Sequence, residues 1–124
     1  MAIFFYDSYA VLAYLDDHPK YRFYFEENDG FLTKLNLMEI YYRMFESHGS
    51  LAASRVIVAF SKYQRDFDIN EIKGAMRLRL RLKKRGLNIS YADALGYHLA
   101  LNAGVKFLTG DSAFETLKGV EFVP

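Results

Sequence analysis

Four acidic side chains stand where they could act together on one ligand, and they are Asp7, Glu39, Asp93 and Asp111. Asp7 and Asp111 each come after a short apolar run that is typical of a buried strand. In an open parallel sheet, ligands bind at the carboxyl ends of the strands, because the chain turns there and helix N-termini point into the crevice. Glu39 and Asp93 fall near the starts of helix-like segments. We therefore expect all four carboxylates to meet at one edge of the sheet.

Such a cluster favours the binding of a hard cation. Carboxylates crowded at one edge would repel each other unless a cation lay between them. The chain has no cysteine, and its three histidines share no metal-ligand spacing. An all-oxygen site suits Mg²⁺ or Mn²⁺, with waters completing the octahedron. Such an ion binds phosphates, lowers the pKa of a bound water and neutralises charge that develops on a phosphodiester.

Two of the acids have an alternative role at helix ends. Glu39 follows Asn36 by three residues, and Asp93 follows Ser90 by three. This is the spacing of a capping box, in which the third helical side chain reaches back to the first backbone N–H. A helix N-terminus also stabilises an ionised carboxylate, by about 0.3–1 kcal/mol. Capping and metal binding are therefore compatible.

Asp7 and Asp111 have local alternatives of their own, as an N-cap and as a turn acid. Ser8, Asn36 and Thr109 are candidate supporting residues that would orient the metal ligands or their waters. Each of these three is also typical of an ordinary cap or turn. The case for a site therefore depends on all the acids emerging at the same sheet edge, and no single motif carries it.

A row of basic side chains is a candidate surface for nucleic acid. At about 100° per residue, one helix face would carry Lys73, Arg77, Arg81 and Lys84. The row could grip a phosphate backbone, or it could be the solvated face of an amphipathic helix. Arg43, one turn after Glu39, could offset repulsion among the acids or contact a substrate. We take Arg43, Lys73, Arg77 and Arg81 as candidate substrate-binding residues.

The composition indicates one folded domain, residues 1–124. The chain is 52% hydrophobic, with 11 Phe and 10 Tyr, so some aromatic side chains should lie at a homo-oligomer or partner interface. A net charge of +1 gives no overall attraction to nucleic acid. The absence of cysteine fits a cytoplasmic protein. We interpret the apolar N-terminus as a strand and not a signal peptide, and no apolar run approaches the ~18 residues that cross a membrane.

Strand-like and helix-like segments alternate along the chain. The pattern predicts strands at Ala2–Tyr6, Gly30–Thr33, Phe67–Ile69, Val105–Thr109 and Gly119–Val123. It predicts helices at Ser8–Asp17, Tyr21–Glu27, Leu51–Gln64 and Asn70–Arg85. It also predicts one helix that Asn36 caps and that ends near Ser47, and another that Ser90 caps and that ends near Asn102. Such alternation is typical of an α/β fold in which helices cover both faces of a parallel sheet.

One segment is ambiguous. Residues 76–82 alternate between apolar and basic side chains with a period of two, which alone would favour an exposed strand. We favour a helix because Asn70 and Gly86 are suitable helix ends. In that helix Arg79 and Lys83 would lie among apolar side chains, and we expect them to extend towards water.

Four short stretches match a known pattern when they are taken in order. They are Phe4–Ser8, Asn36–Glu39, Ile89–Gly96 and Phe107–Phe114. Together they resemble the PIN domain family, and most of all its compact VapC-type toxins. Each stretch is weakly specific alone, but the ordered set covers essentially the whole chain. The resemblance implies a three-layer α/β/α sandwich around a parallel sheet of about five strands.

The resemblance also implies an activity. Members of this kind are Mg²⁺- or Mn²⁺-dependent endoribonucleases in which an activated water attacks the phosphodiester. The residues that match the metal-binding acids of the family are Asp7, Glu39, Asp93 and Asp111. Ser8 and Thr109 match polar positions beside them. Ala113 stands where many members carry a further acid, with Glu115 displaced, which weakens the case for a second metal.

Such toxins pair with a small antitoxin that covers the active-site groove, and they tend to form homodimers. We expect the apolar groove for this partner at Tyr21–Phe25 and Tyr41–Phe45. Three other functions are alternatives to this one.

The main alternative is a non-catalytic PIN-like module that binds RNA or protein. A dehalogenase-like phosphatase is disfavoured because Tyr9 occupies the position of its second Asp, and a receiver domain because the chain lacks its acidic pair and late Lys.

Overall fold

A sheet of four short parallel strands forms the centre of the fold. In the computed structural model, which describes residues 1–124, the strands are β1 (Ile3–Tyr6), β2 (Asp29–Phe31), β3 (Lys106–Thr109) and β4 (Val120–Phe122). They lie in the order β2-β1-β3-β4, and every pairing is parallel. Phe4, Phe5 and Tyr6 of β1 are all buried, because both faces of this central strand are covered.

Helices cover the sheet on both sides. They are α1 (Ser8–Leu15), α2 (Arg22–Glu26), α3 (Lys34–His48), α4 (Ser50–Phe60), α5 (Ile69–Lys84) and α6 (Tyr91–Ala103). Successive side chains of a strand point to opposite faces. Phe4 and Tyr6 therefore pack with α1 to α4, while Phe5 packs with α5 and α6. The molecule is the three-layer α/β/α sandwich that the sequence predicts. None of its helices is both long and apolar enough to span a bilayer.

The sheet has four strands, where about five were expected, because residues 67–69 form no strand. This stretch leads instead into α5. The Asp68 side chain accepts a hydrogen bond from the N–H of Glu71 at 2.9 Å, and the Glu71 side chain accepts one from the N–H of Asp68 at 3.1 Å. A complete capping box at this point starts a helix where the short apolar stretch alone suggested a strand.

The remaining elements differ from the predicted ones mainly at their ends. The helix predicted at Leu51–Gln64 stops at Phe60 and continues as a 3-10 turn, Ser61–Tyr63. Another 3-10 turn, Pro19–Tyr21, comes before α2. Helix ends fray and tighten readily, so these differences of a few residues leave the topology unchanged.

The ambiguous segment is helical, since α5 buries Ala75, Leu78 and Leu82 at helical spacing. Lys83 is exposed, but Arg79 does not extend into water as expected. Arg79 is half-buried, and its Nε donates to the carbonyl of Ile89 at 2.8 Å. The loop that leads into α6 therefore provides a polar partner that the helix pattern could not reveal.

The two aromatic segments divide between core and surface. Tyr21 and Phe25 are buried, and Phe23 between them is exposed. On α3, Tyr42 and Phe45 are both more than half exposed. The second segment therefore offers the larger aromatic surface, and most of the first belongs to the core.

Candidate active site

The four predicted acids all line one cavity at the carboxyl end of the sheet. The cavity has a volume of about 710 Å³, and its wall includes Asp7, Glu39, Asp93 and Asp111. These side chains come from the end of β1, from α3, from α6 and from the turn after β3. Because β1 and β3 are parallel neighbours, the acids that follow them emerge at the same edge. The grouping expected from the sequence is present in the structure.

Asp7 is deeply buried, with only 4% of its surface exposed. It is the N-cap of α1, and its Oδ1 accepts a hydrogen bond from the N–H of Ser8 at 2.8 Å. Its Oδ2 accepts one from the Thr109 hydroxyl at 2.7 Å. Each carboxylate oxygen can accept two hydrogen bonds, so Asp7 keeps capacity for a further partner. The capping role left open by the sequence is real and does not exhaust the side chain.

A buried polar network holds Asp7 from two sides. The Thr109 hydroxyl, which donates to Asp7, also accepts from the N–H of Asp111 at 3.0 Å. On the other side, Nδ2 of Asn36 donates to the Ser8 hydroxyl at 3.1 Å. The three predicted supporting residues, Ser8, Asn36 and Thr109, are all buried. Thr109 and the backbone of Ser8 hold the Asp7 carboxylate directly, and Asn36 supports it indirectly by holding the Ser8 side chain.

The cap of α3 differs from the predicted one. Thr33 is the N-cap, and Asn36 is the third residue of the helix. Oδ1 of Asn36 reaches back to accept from the N–H of Thr33 at 3.0 Å, which completes a capping box. The helix starts earlier than predicted because these two residues satisfy each other. Glu39 lies almost one turn further along and takes no part in the cap.

Asp93 and Asp111 both occupy the local positions considered from the sequence. The Ser90 hydroxyl caps α6 by accepting from the N–H of Asp93 at 3.1 Å. Asp111 is the N-cap of a 3-10 turn, and its Oδ1 accepts from the N–H of Ala113 at 3.0 Å. Both carboxylates also line the cavity. Capping therefore positions these acids at the site.

Burial and crowding raise the pKa of Asp7 above its ordinary value of 3.8. Loss of solvation is the largest cause, and the negative charges of Asp93 and Glu39 add to it. The hydrogen bonds from Thr109 and from the backbone of Ser8 act in the opposite direction, because they stabilise the ionised form.

The pKa of Asp93 is raised for similar reasons. Burial is again the largest cause, and the charges of Glu39 and Asp111 contribute further. Hydrogen bonding to Ser90 lowers it in part. The one salt bridge of the chain lies elsewhere, so no internal ion pair neutralises the acids.

The sequence profile of the PIN domain matches residues 4–120. This chain belongs to the PIN domain family. No curated protein matches its sequence. The parallel sheet and the flanking helices are thus those of a PIN domain.

Solved structures with the same fold are found among toxin–antitoxin complexes. The VapBC2 complex of Rickettsia felis bound to promoter DNA has a TM-score of 0.76 at 19% identity, covering 98% of this chain and 97% of that one. The DNA-bound VapBC of Salmonella typhimurium has a TM-score of 0.76 at 19% identity, with 99% and 98% covered. A toxin–antitoxin complex from Klebsiella pneumoniae has a TM-score of 0.75 at 16% identity, with 98% and 96% covered. At these identities the likeness shows a shared fold.

The donors of this PIN domain suit a hydrated Mg²⁺ or Mn²⁺ ion. Carboxylate oxygens are the ligands that such ions prefer. No group of three or more His, Asp or Glu side chains is arranged to hold an ion by itself. Mg²⁺ is usually held by one or two carboxylates and keeps several waters, so an open acidic cavity fits a hydrated ion. A dication would also relieve the charge crowding that raises the pKa values of Asp7 and Asp93.

The candidate substrate-binding residues of this PIN domain lie in two places. Arg43 lines the cavity and forms no salt bridge, so its guanidinium is available to a substrate. Lys73, Arg77 and Arg81 are exposed on α5 and do not line the cavity. Any contact between these three and RNA would lie outside the cavity.

Several cavity residues received no role from the sequence, and those with the greatest chemical potential are Tyr9, His18 and His48. For Tyr9 a usable clue exists, because it comes two residues after Asp7 in the first turn of α1. A side chain in that turn must lie close to the strand end that carries the acid. The two histidines come from a loop and from the last residue of α3, and no local pattern places them near the acids.

Proposed function

We propose that this PIN domain is an endoribonuclease that requires Mg²⁺ or Mn²⁺ and acts as the toxin of a toxin–antitoxin pair. The observation that carries the proposal is the convergence of Asp7, Glu39, Asp93 and Asp111 on one cavity. Membership of the PIN domain family supports a nuclease. The likeness in fold to VapBC complexes supports a toxin. The cytoplasm, where the RNA substrate would be, is the proposed location.

In this proposal the four acids hold the hydrated ion, directly or through its waters. When bound, the ion would supply a water of lowered pKa and neutralise charge at the phosphate. The protein's own contribution is preorganisation. Thr109 and the Ser8 backbone keep Asp7 in one orientation, so that orientation need not be gained during the reaction. Arg43 would donate hydrogen bonds to a phosphate oxygen from the cavity wall.

We further propose that a small antitoxin protein binds next to the cavity. Five apolar side chains of α3 and α4 are each more than half exposed, and we call them the α3–α4 apolar surface: Met38, Tyr42, Phe45, Leu51 and Val58. Exposed apolar residues grouped on neighbouring elements mark binding surfaces. Because α3 also carries Glu39 and Arg43, a partner on this surface would obstruct access to the acids.

The decisive experiment is cleavage of RNA by the purified protein. Single-stranded and structured RNAs should be cut with Mg²⁺ or Mn²⁺ and left intact in EDTA. Asp7→Asn should lower the rate by at least the ~100-fold that changes near a metal can produce. Asp17→Asn is a matched control, because Asp17 is exposed and does not line the cavity.

The outcomes separate the candidate functions. Cleavage that survives Asp7→Asn would refute the assignment of the acids. Failure to cut any RNA, combined with tight RNA binding that is indifferent to divalent ions, would favour the non-catalytic PIN-like module instead.

A further inference from the structure

We propose that Tyr9 is a stacking platform for the nucleobase beside the cleaved phosphodiester. This inference rests on the proposed ribonuclease function and adds to it a residue that positions the substrate. Tyr9 lines the same cavity as Asp7, Asp93 and Asp111, and it is the only Phe or Tyr that does so. A base held by its ring would lie next to the acids that are proposed to act on the phosphate.

The exposure of Tyr9 is unusual for its surroundings. The nearby rings of Tyr6 and Tyr21 are completely buried, whereas Tyr9 is 39% exposed. Its ring centroid lies 6.4 Å from that of Tyr21, whose hydroxyl donates to the carbonyl of Val123 at 2.6 Å. Tyr9 therefore lies beside a fixed aromatic neighbour, while part of its own surface stays exposed at the cavity wall.

Gly110 shows that the position of the ring is built into the site. A Cβ atom at Gly110 would collide with ring atoms of Tyr9 and with the carbonyl of Val123. The ring thus occupies space that any other residue at position 110 would fill. Gly110 lies between Thr109 and Asp111, so the residue that makes room for the ring belongs to the same turn as the acidic site. A ring held in this way loses little conformational entropy on binding.

The electrostatics of the cavity explain why stacking would be needed. The acids repel a phosphate backbone, and Arg43 is the only Lys or Arg in the wall. The net charge of the chain, +1, adds no long-range attraction. Stacking of a base on an aromatic ring does not depend on opposite charges, and it accepts every base because each has a π-face. Unpaired RNA bases are commonly recognised in this way.

The test compares wild type, Tyr9→Leu and Tyr9→Phe on a short single-stranded RNA that the wild type cuts. Binding is measured in EDTA by fluorescence anisotropy, and kcat and KM are measured with Mn²⁺. We expect Tyr9→Leu to weaken binding by about 5- to 150-fold and to raise KM correspondingly. We expect Tyr9→Phe, which keeps the ring, to stay close to wild type. Phe23→Leu is the control, since Phe23 is an exposed aromatic residue outside the cavity.

An abasic scan of the RNA distinguishes stacking from a structural role. Removal of one particular base, next to the cut, should weaken RNA binding by wild type and leave RNA binding by Tyr9→Leu unchanged. Because the chain contains no tryptophan, Tyr9→Trp adds a single indole whose emission should be quenched by intact RNA and not by the abasic RNA. This readout also serves if Tyr9→Leu fails to fold.

The results separate this inference from the function on which it rests. If wild type cuts RNA and Tyr9→Leu binds that RNA equally well, the stacking role is wrong and the nuclease stands. The same conclusion follows if the affinity of Tyr9→Leu is lower than that of wild type by the same factor for the intact RNA and for every abasic RNA. An unquenched Tyr9→Trp that still cuts leads to the same conclusion. A wild-type protein that neither cuts nor binds RNA overturns both proposals.

Discussion

Asp7 has two properties that disfavour its ionised form in the absence of a metal. It is almost completely buried, and it lies near two other carboxylates, Asp93 and Glu39. Both conditions raise its pKa, so folding of the metal-free protein favours the protonated side chain. A site that is proposed to bind a cation is therefore expected to reduce the stability of the empty fold.

The first residue-scale prediction concerns the pH dependence of this effect. Because the pKa of Asp7 is raised in the folded state, binding of its proton stabilises the fold. This stabilisation is fully present below the ordinary pKa of 3.8 and is lost as the pH rises through the raised pKa. Asp7→Asn removes the ionisation, and an amide can still accept from Ser8 and donate to Thr109. In EDTA we expect the Tm of the variant to exceed that of wild type by an amount that grows with pH, reaching about 3–8 °C.

Thermal unfolding in EDTA, from about pH 5 to about pH 9, measures this difference directly. Asp17→Asn should show no difference that grows with pH, because Asp17 is exposed. Any Tm difference that arises from its left-handed backbone (φ 60°) should be constant across the range. Added Mn²⁺ should stabilise wild type and leave Asp7→Asn unchanged. A Tm difference that is independent of pH would contradict the assignment of the effect to Asp7.

Thr109 is the subject of the second residue-scale prediction. Its buried hydroxyl donates to Asp7 and accepts from the N–H of Asp111. Thr109→Val keeps the shape and leaves both groups without this partner, which should lower the free energy of unfolding by about 1–3 kcal/mol. It should also weaken Mn²⁺ binding by about 10- to 100-fold, as loss of a group that orients a ligand does.

Calorimetric titration with Mn²⁺ and denaturant unfolding test the two parts of this prediction. Thr109→Ser is the matched control, since it keeps the hydroxyl and should retain most of the affinity. Equal Mn²⁺ affinity in Thr109→Val and wild type would mean that Thr109 supports only the fold.

At the scale of elements, local capping sets the direction of three of the acids. Asp7 and Asp111 cap the turns they begin, and Ser90 caps the helix that carries Asp93. Each cap fixes the backbone at the point where the carboxylate leaves it. Helix starts and strand ends thus provide a rigid frame, so the cavity does not depend on long loops.

Helix α5 carries the element-scale prediction. Lys73, Arg77 and Arg81 are exposed on it, outside the cavity. If they hold the RNA backbone, the double variant Arg77→Gln and Arg81→Gln should weaken RNA binding. The dependence of binding on salt should also become shallower: the slope of log K against log salt should decrease by about 0.7 for each phosphate that is no longer neutralised. Anisotropy at several salt concentrations measures this. Arg55→Gln on α4 is the control. An unchanged slope in the double variant would mean that the basic face of α5 is solvated and does not contact RNA.

At the scale of the whole molecule, the α3–α4 apolar surface remains uncovered in the single chain. A chain this size seldom leaves several large apolar side chains exposed together unless a partner covers them. We expect the protein to bind a small antitoxin here and to form a homodimer. Light scattering after size-exclusion chromatography should give twice the mass of one chain, and a monomer at every concentration would contradict the homodimer.

The antitoxin surface has its own test. We expect a small antitoxin to be encoded next to this chain, and that antitoxin should bind the protein and inhibit cleavage. Phe45→Asp should weaken that complex by more than about 10-fold, because burying a charge in an apolar interface is costly, and cleavage by the free variant should continue. Thr116→Asp, at an exposed polar position outside α3, α4 and the cavity, is the control. Inhibition that is unaffected by Phe45→Asp would place the antitoxin elsewhere.

The sequence by itself determined the features that depend on nearby residues. Apolar runs and caps located most helices and strands, and burial at positions 75, 78 and 82 agrees with the choice of helix for α5. The order of the four acids, together with the expectation of a parallel sheet, was enough to predict that they meet. Short-range spacing carries this information because capping and amphipathic burial act within one or two turns.

Only the tertiary structure decided the features that depend on distant residues. The partner of Arg79 required knowing which groups meet in space. The Asp68–Glu71 and Thr33–Asn36 caps, in contrast, are local pairs that the sequence analysis missed. The hydrogen bond from Thr109 to Asp7 spans 102 positions in the chain, and the contact of Tyr9 with Gly110 spans a similar separation. Such contacts follow from strand order and register, which arise from packing the whole core and leave no mark on the local pattern.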